Sequence, residues 1–163
     1  MLKRRTLVII ASLVLLGMAA VPIVAFVIVP QFVRSTLVEE VPAASGAPSR
    51  SGATGAPATL VNGELVRINV ADYGTGTVRI VKIGDSHLLR FDNVDIAGAP
   101  DAYVYLSDRT DGSPGRFTDL GRLKATNGSF NYAIPAGTDL GAVRSVVVWC
   151  RQFTVTITYA VLN

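Results

Sequence analysis

The sequence predicts an all-β fold, an antiparallel β-sandwich or flattened barrel of about eight strands, preceded by one transmembrane helix and a flexible linker. Three observations support this prediction. An uncharged apolar run near the N-terminus is long enough to cross a bilayer, and a stretch rich in Gly, Ser, Ala and Pro follows it. From residue 58 onward, short segments with a period of two alternate with turn residues. We therefore divide the chain into residues 1–30, 31–57 and 58–163.

Residues 1–30 are typical of a signal anchor. Thr6–Val29 is a run of 24 residues without a charge, and as a helix it would cover about 36 Å, more than the roughly 30 Å of a hydrocarbon core. The run is longer than the apolar region of a signal peptide, and no clear cleavage site follows it. Because Lys3, Arg4 and Arg5 precede the run, we expect the N-terminus to be cytoplasmic. The sequence predicts a single-pass protein of the cell membrane with an extracytoplasmic C-terminal domain.

Residues 31–57 combine two kinds of segment. Gln31–Glu40 is mildly amphipathic and favours a short juxtamembrane helix. Pro42–Pro57 offers almost nothing to bury and is typical of a linker. Its flexible-chain reach is roughly 20–25 Å, so we expect it to hold the domain near the membrane without pressing it onto the surface.

Residues 58–163 consist of predicted strands separated by turns. In the clearest strand, Phe153–Val161, the odd-numbered apolar residues are expected to face the core and the threonines to face away from it. Asn127-Gly128 favours a tight hairpin. The other predicted strands are Leu65–Asn69, Thr77–Ile83, Leu88–Val94, Ala102–Ser107, Gly121–Thr126, Ser129–Ile134 and Arg144–Cys150.

Charge and composition exclude several classes of function. From residue 58 onward, ten Lys or Arg residues balance ten Asp or Glu residues, so the net charge of +3 comes from Lys3, Arg4 and Arg5. We therefore expect no binding of nucleic acid. With one histidine, His87, and one cysteine, Cys150, the chain lacks the ligand sets of the usual zinc, copper and attached-haem sites. No catalytic residues and no metal site are predicted, the chain is not expected to be an enzyme, and the sequence leaves any cofactor unknown.

Four stretches, spread through the predicted domain of about 105 residues, resemble the DM-thirteen domain family, often described as an electron-transfer domain. They are Gly98–Ser107, Leu120–Lys124 with Gly128, Asn131–Pro135, and Ser145–Val155 with Ala160–Leu162. The resemblance implies a β-sandwich and a redox role centred on Cys150. One departure is the stretch 72–78, which lacks the histidine that many members carry before this strand.

The candidate site follows from this resemblance and from residue chemistry. Cys150 is the redox candidate, and the supporting candidates are Trp149, Arg151, Phe153, Asp101, Tyr103 and Tyr105. Arg151 is expected to stabilise a thiolate at Cys150. The sequence also leaves the structural interpretation open, in which Cys150 and Trp149 simply pack in the core. Two functions remain: a redox module with a redox or surface protein partner, or a non-catalytic binding or structural module at the cell surface.

Overall fold

The computed structural model describes residues 34–42 and 57–163, and Val14 alone in the segment before them. The chain divides into two compact units, residues 1–33 and 34–163. Within 34–42 and 57–163 the fold is all-β, with nine strands in two sheets and no helix. The predicted sandwich class is thus confirmed for this part of the chain. None of the described helices is long and apolar enough to cross a membrane, and the predicted span Thr6–Val29 lies outside the described residues except for Val14.

The strands follow one another without intervening helices. Their bounds are β1 Thr36–Val38, β2 Ala58–Glu64, β3 Gly74–Ile83, β4 Ser86–Ile96, β5 Ala102–Ser107, β6 Phe117–Arg122, β7 Asn127–Ala133, β8 Ser145–Cys150 and β9 Val155–Val161. One sheet, sheet A, has the order β1-β7-β4-β3-β2, and the other, sheet B, has the order β6-β5-β8-β9. All pairs are antiparallel except β1 with β7, which is parallel.

The hydrophobic core lies between the two sheets. Phe91 of β4 and Phe130 of β7 stack at 5.0 Å between ring centroids, and Tyr132 meets Phe91 edge-on at 5.8 Å. From sheet B, the core receives Val104, Val146, Val148, Cys150 and Ile157. Burial of aromatic and aliphatic side chains on facing sheets is the principal stabilising term of such a sandwich.

The structure corrects the prediction for the segment after the apolar run. Thr36–Val38 forms a strand, so the juxtamembrane helix predicted over Gln31–Glu40 is wrong for the described residues. The segment pairs with β7, and the stretch expected to tether the domain to the membrane therefore joins β1 to β2. These strands occupy opposite edges of a five-stranded sheet, four spacings or about 19 Å apart.

Three predictions about turns and strands also change. Asn127-Gly128 begins β7 and pairs with both β1 and β4, so it is not a hairpin turn. The strand predicted at Gly121–Thr126 lies instead at Phe117–Arg122, and the first strand after residue 57 is Ala58–Glu64 instead of Leu65–Asn69. These errors share a cause, since glycine and polar residues within paired strands look like turns in the sequence.

A register shift changes the faces of β9. Between Val148 and Trp149 the pairing of β8 with β9 slips, so that Trp149 pairs with Thr156 and Val147 with Tyr159. Thr158 becomes fully buried and donates its hydroxyl to the carbonyl of Val66 at 2.8 Å. The prediction that every threonine of this strand faces away from the core is therefore wrong, because a β-bulge interrupts the alternation.

Candidate functional site

Strands β5 and β8 bring most of the predicted site residues together. The strands pair antiparallel, with Tyr103 opposite Trp149 and Tyr105 opposite Val147. Because side chains alternate along a strand, Tyr103, Tyr105 and Trp149 share the outer face of sheet B, away from the core. We call the cluster formed on this face by Tyr103, Tyr105, Phe117, Trp149 and Arg151 the aromatic face.

Cys150 lies on the opposite side of the same sheet. Its side chain is 0 % exposed and belongs to the core cluster, next in the chain to the half-buried Trp149. It carries a free thiol and pairs with Ala102 and Val155 in the neighbouring strands. Its location is that of a packed core cysteine, out of reach of a reactant in solvent while the sandwich stays closed.

Arg151 is fixed on the aromatic face by four contacts. Its backbone N–H donates to the carbonyl of Asp101 at 3.0 Å, and its guanidinium carbon lies 3.5 Å from the Tyr103 ring centroid. Nε donates to the Tyr105 hydroxyl at 2.6 Å, and Nη2 donates to Asp119 Oδ2 at 2.5 Å. The hydrogen bond to Tyr105, followed by that to Asp119, raises the pKa of Arg151 above its ordinary value. The guanidinium is thus held by aromatic and carboxylate partners on the outer side of the sheet.

Asp101 lies at the rim of the same cluster. Its carboxylate accepts a hydrogen bond from Arg122 at 2.5 Å, and the Arg122 guanidinium carbon lies 5.6 Å from the Tyr103 centroid. Tyr103 therefore has a guanidinium from each of two ion pairs near its ring. Phe153, by contrast, lies in the turn between β8 and β9, where it is 41 % exposed and outside the aromatic face as defined.

Three members of this arrangement were missed from the sequence. Phe117 stacks on Tyr105 with centroids 4.1 Å apart, Asp119 pairs with Arg151, and Arg122 pairs with Asp101. Phe117 and Asp119 belong to β6, the strand that the sequence prediction placed four residues too late. The alternation of Phe117, Asp119 and Gly121 was the available signal, but the glycine-rich surroundings concealed it.

A cleft of about 680 Å³ opens beside Trp149. Its walls include Tyr159 and Val155 of β9 together with Val66 and Ile68 of the segment before β3. The loop after β5 packs closely against Tyr159. Gly112 of this loop lies so near that a Cβ atom there would be 2.8 Å from the Tyr159 ring. The half-buried Trp149 is therefore reachable from solvent at one side of the aromatic face.

Ligand sets for metal ions are missing from the described residues. Across 34–42 and 57–163 no three His, Cys, Asp or Glu side chains lie close enough together to hold a metal ion. Asp108 and Asp111, in the loop after β5, pair with Arg116 and Arg109 respectively. The chemistry that these residues offer is that of an aromatic and guanidinium surface above a buried thiol.

Comparison with known proteins identifies the family. The family model described as Electron transfer DM13 matches residues 68–162, more than half of the chain and all four stretches of the resemblance. Neither the curated proteins nor the solved structures compared with the chain gave a match. The matched range contains the aromatic face and Cys150 and extends from the start of the turn before β3 to the end of β9. The chain belongs to the Electron transfer DM13 family.

Proposed function

We propose that this protein is a non-enzymatic, membrane-anchored, extracytoplasmic module of an electron-transfer system. Family membership supports the electron-transfer role. The uncharged run Thr6–Val29 behind Lys3, Arg4 and Arg5 supports a single-pass anchor with a cytoplasmic N-terminus. A tethered module of this kind meets its partners in or at the same membrane.

In this proposal, a redox partner contacts the aromatic face. It presents two half-buried side chains, Trp149 and Tyr103, and the fixed guanidinium of Arg151, and these residue types dominate the binding energy of protein interfaces. Because Arg151 is already held by Tyr105 and Asp119, docking would order few additional side chains and lose little entropy. The surface is thus largely preorganised for binding a protein partner.

Cys150 is the redox group in this proposal, and both of its neighbours in the chain, Trp149 and Arg151, belong to the aromatic face. With the thiol 0 % exposed, direct thiol–disulfide exchange with a partner would require the sandwich to open. A donor or acceptor centre of a partner on the aromatic face would therefore be separated from the thiol by the thickness of β8. No cofactor is assigned to the chain.

A non-catalytic binding module at the cell surface is the second candidate. The observation in its favour is the environment of Cys150, which is enclosed by the aliphatic core cluster while Arg151 is engaged elsewhere. In this case the aromatic face would dock a surface protein without any electron exchange. The two candidates share the surface and differ only in the role of the thiol.

The experiment that separates them uses variants of the full chain in detergent or nanodiscs. Electron exchange with soluble mediators is followed by spectroelectrochemistry for the wild type, Cys150→Ala and Val148→Ala. Val148 is the matched control because it lies on the same strand, faces the same core and is also 0 % exposed. We expect a reversible signal in the wild type and in Val148→Ala, and none in Cys150→Ala. A folded wild-type chain that exchanges no electrons would favour the binding module.

A further inference from the structure

The turn between β2 and β3 exposes apolar side chains. Val70 is 91 % exposed, Ile68 45 % and Val66 37 %. An isolated exposed aliphatic residue is ordinary, but three at alternate positions of one short turn form an apolar tip that water solvates poorly. We call this segment, residues 66–72, the apolar turn.

The apolar turn is held in its conformation by its own hydrogen bonds. The backbone N–H groups of Ala71 and Asp72 donate to Asn69 Oδ1 at 2.7 and 2.8 Å. The N–H groups of Ile68 and Asn69 donate to the carbonyl of Asp72 at 3.1 and 3.0 Å. The side chain of Asn69 also donates to Asp72 Oδ2 at 2.9 Å. Val70 is therefore presented by a closed Asx-type turn, a fixed arrangement that costs little further ordering on contact.

The apolar turn lies beside the point where the chain enters the folded unit. Arg67 stacks over the ring of Tyr73, with its guanidinium carbon 4.7 Å from the centroid. The Tyr73 hydroxyl accepts a hydrogen bond from Arg34 at 2.7 Å, and Arg34 pairs with Asp95 at 3.0 Å. Arg34 is the first residue of the folded unit. Through Tyr73, the entry point and the apolar turn share one end of the domain.

Chain length then limits how far this end can be from a membrane. Residues 30–33 are all that separate the apolar run ending at Val29 from Arg34. Five Cα–Cα steps span at most about 18 Å even when fully extended. If Thr6–Val29 crosses the bilayer, the end of the domain that carries Arg34 must lie within about 18 Å of the headgroup region.

We propose that the apolar turn inserts Val66, Ile68 and Val70 into the interface of the membrane in which the chain is itself anchored. The inference rests on the proposed anchoring and adds an orientation to it, with the N-terminal end of β3 facing the lipid. The opposite end of β3, at the Gly84-Asp85 turn, points away from the membrane, roughly 30 Å along the strand. The apolar turn thus contacts the lipid of the membrane that anchors the same chain.

Electrostatics at this end are balanced. Arg34 pairs with Asp95, and the apolar turn itself carries one cation, Arg67, and one anion, Asp72, so these four charges sum to zero. Insertion therefore depends on apolar burial and not on attraction to anionic headgroups. The contact is expected to have the same depth in zwitterionic and in anionic membranes, and to be insensitive to salt.

The test places one fluorescent label on the full chain in nanodiscs. In a Cys150→Ala background, Val70→Cys and the control Asp85→Cys are each labelled with an environment-sensitive dye. Asp85 is exposed, like Val70, but lies at the distal turn. We expect the label at residue 70 to lie about 5–10 Å into the headgroup and acyl boundary. Lipid-tethered nitroxides should quench it and soluble iodide should not, whereas residue 85 should show the reverse.

The outcomes separate this inference from the anchoring on which it rests. A chain that fails to float with liposomes contradicts the anchor and the insertion together. A chain that floats but whose label at residue 70 is as accessible to iodide as the label at residue 85 contradicts the insertion alone. Quenching that appears only with anionic lipid overturns the apolar mechanism.

Discussion

Trp149 and Cys150 are neighbours in the chain with opposite surroundings. Alternation along β8 directs the indole to the outer face beside Tyr103, and the thiol to the core beside Val148. A single peptide bond thus separates the solvent-facing surface from the interior. A protein bound at the outer face would therefore lie close to the Cys150 thiol without touching it.

The Tyr132 hydroxyl joins two segments at the edge of the core. It accepts a hydrogen bond from the Lys124 N–H at 2.8 Å and donates to the Arg122 carbonyl at 3.0 Å, and burial raises its pKa above the ordinary value. We predict that Tyr132→Phe lowers the free energy of unfolding by about 1–2 kcal/mol, because both backbone partners lose their bond. Denaturant unfolding measures this. Tyr159→Phe is the control, since within the described part of the chain the Tyr159 hydroxyl makes no hydrogen bond. An equal loss in both variants would contradict the explanation.

Gly128 is required for the pairing of β1 with β7. Its φ is +111°, and a Cβ atom there would clash with the backbone of Leu37. We predict that Gly128→Ala costs about 3 kcal/mol or more, because backbone strain and overpacking add. Gly84→Ala is the matched control, with φ +57° and no atom within 4 Å of the added methyl, and should cost only about 1 kcal/mol. Thermal or denaturant unfolding compares the two, and similar costs would mean that β1 does not press on Gly128.

The site could be predicted from the sequence in part. The resemblance and the strand pattern identified Tyr103, Tyr105, Trp149 and Arg151, which the structure brings together. Asp119 escaped prediction because its partner, Arg151, is 32 residues away in the chain. Such a pair is set by strand order in the sheet, which local patterns do not encode.

Strand β1 is a short element with a dense set of contacts. Glu39, just after it, accepts a hydrogen bond from the Asn131 N–H at 2.7 Å and one from Lys124 Nζ at 3.0 Å. Arg90, largely buried, donates to the Glu39 carbonyl at 2.5 Å and to Asp92 at 2.8 Å. These contacts fasten a strand of three residues that backbone pairing alone would hold weakly.

The Glu39 carboxylate makes this attachment dependent on pH. The hydrogen bond from the Asn131 N–H, with a smaller contribution from Lys124, lowers its pKa below the ordinary value of 4.5. Because the folded-state pKa is the lower one, the stabilisation is fully present above pH 4.5 and is lost as pH falls through the folded-state value. We predict that Glu39→Gln costs about 1 kcal/mol at neutral pH, and that the difference from wild type vanishes in acid.

Denaturant unfolding across this pH range tests the prediction. Glu40→Gln is the control, because Glu40 is exposed and contributes its backbone carbonyl to Asn131, not its carboxylate. A stability difference for Glu39→Gln that persists unchanged in acid would contradict the role of the ionised carboxylate.

Most strands were predictable because their apolar residues alternate, as in Thr77–Ile83 and Ala102–Ser107. β1 was not, since a three-residue strand beside charged residues has no period to detect. β9 was found, but its faces were not, because a bulge depends on the partner strand. Local pattern thus predicts that a strand exists, whereas register and edge strands depend on tertiary contacts.

The domain as a whole presents two distinct surfaces. The family match covers strands β3 to β9, the aromatic face is the proposed contact for a partner, and the apolar turn is the proposed contact with lipid. Both surfaces border the cleft beside Trp149, which Val66 and Ile68 also line. A partner in the same membrane would therefore approach the aromatic face from the side.

In the proposed function, a redox partner meets the aromatic face and does not touch the Cys150 thiol. This arrangement is tested by the labelling rate of Cys150, the chain's single cysteine, by a thiol reagent in the folded full chain and after denaturation. We predict that the folded chain reacts only as fast as it unfolds, and that denaturation makes labelling immediate. Rapid labelling of the folded chain would contradict it, because the thiol would then be open to a partner directly.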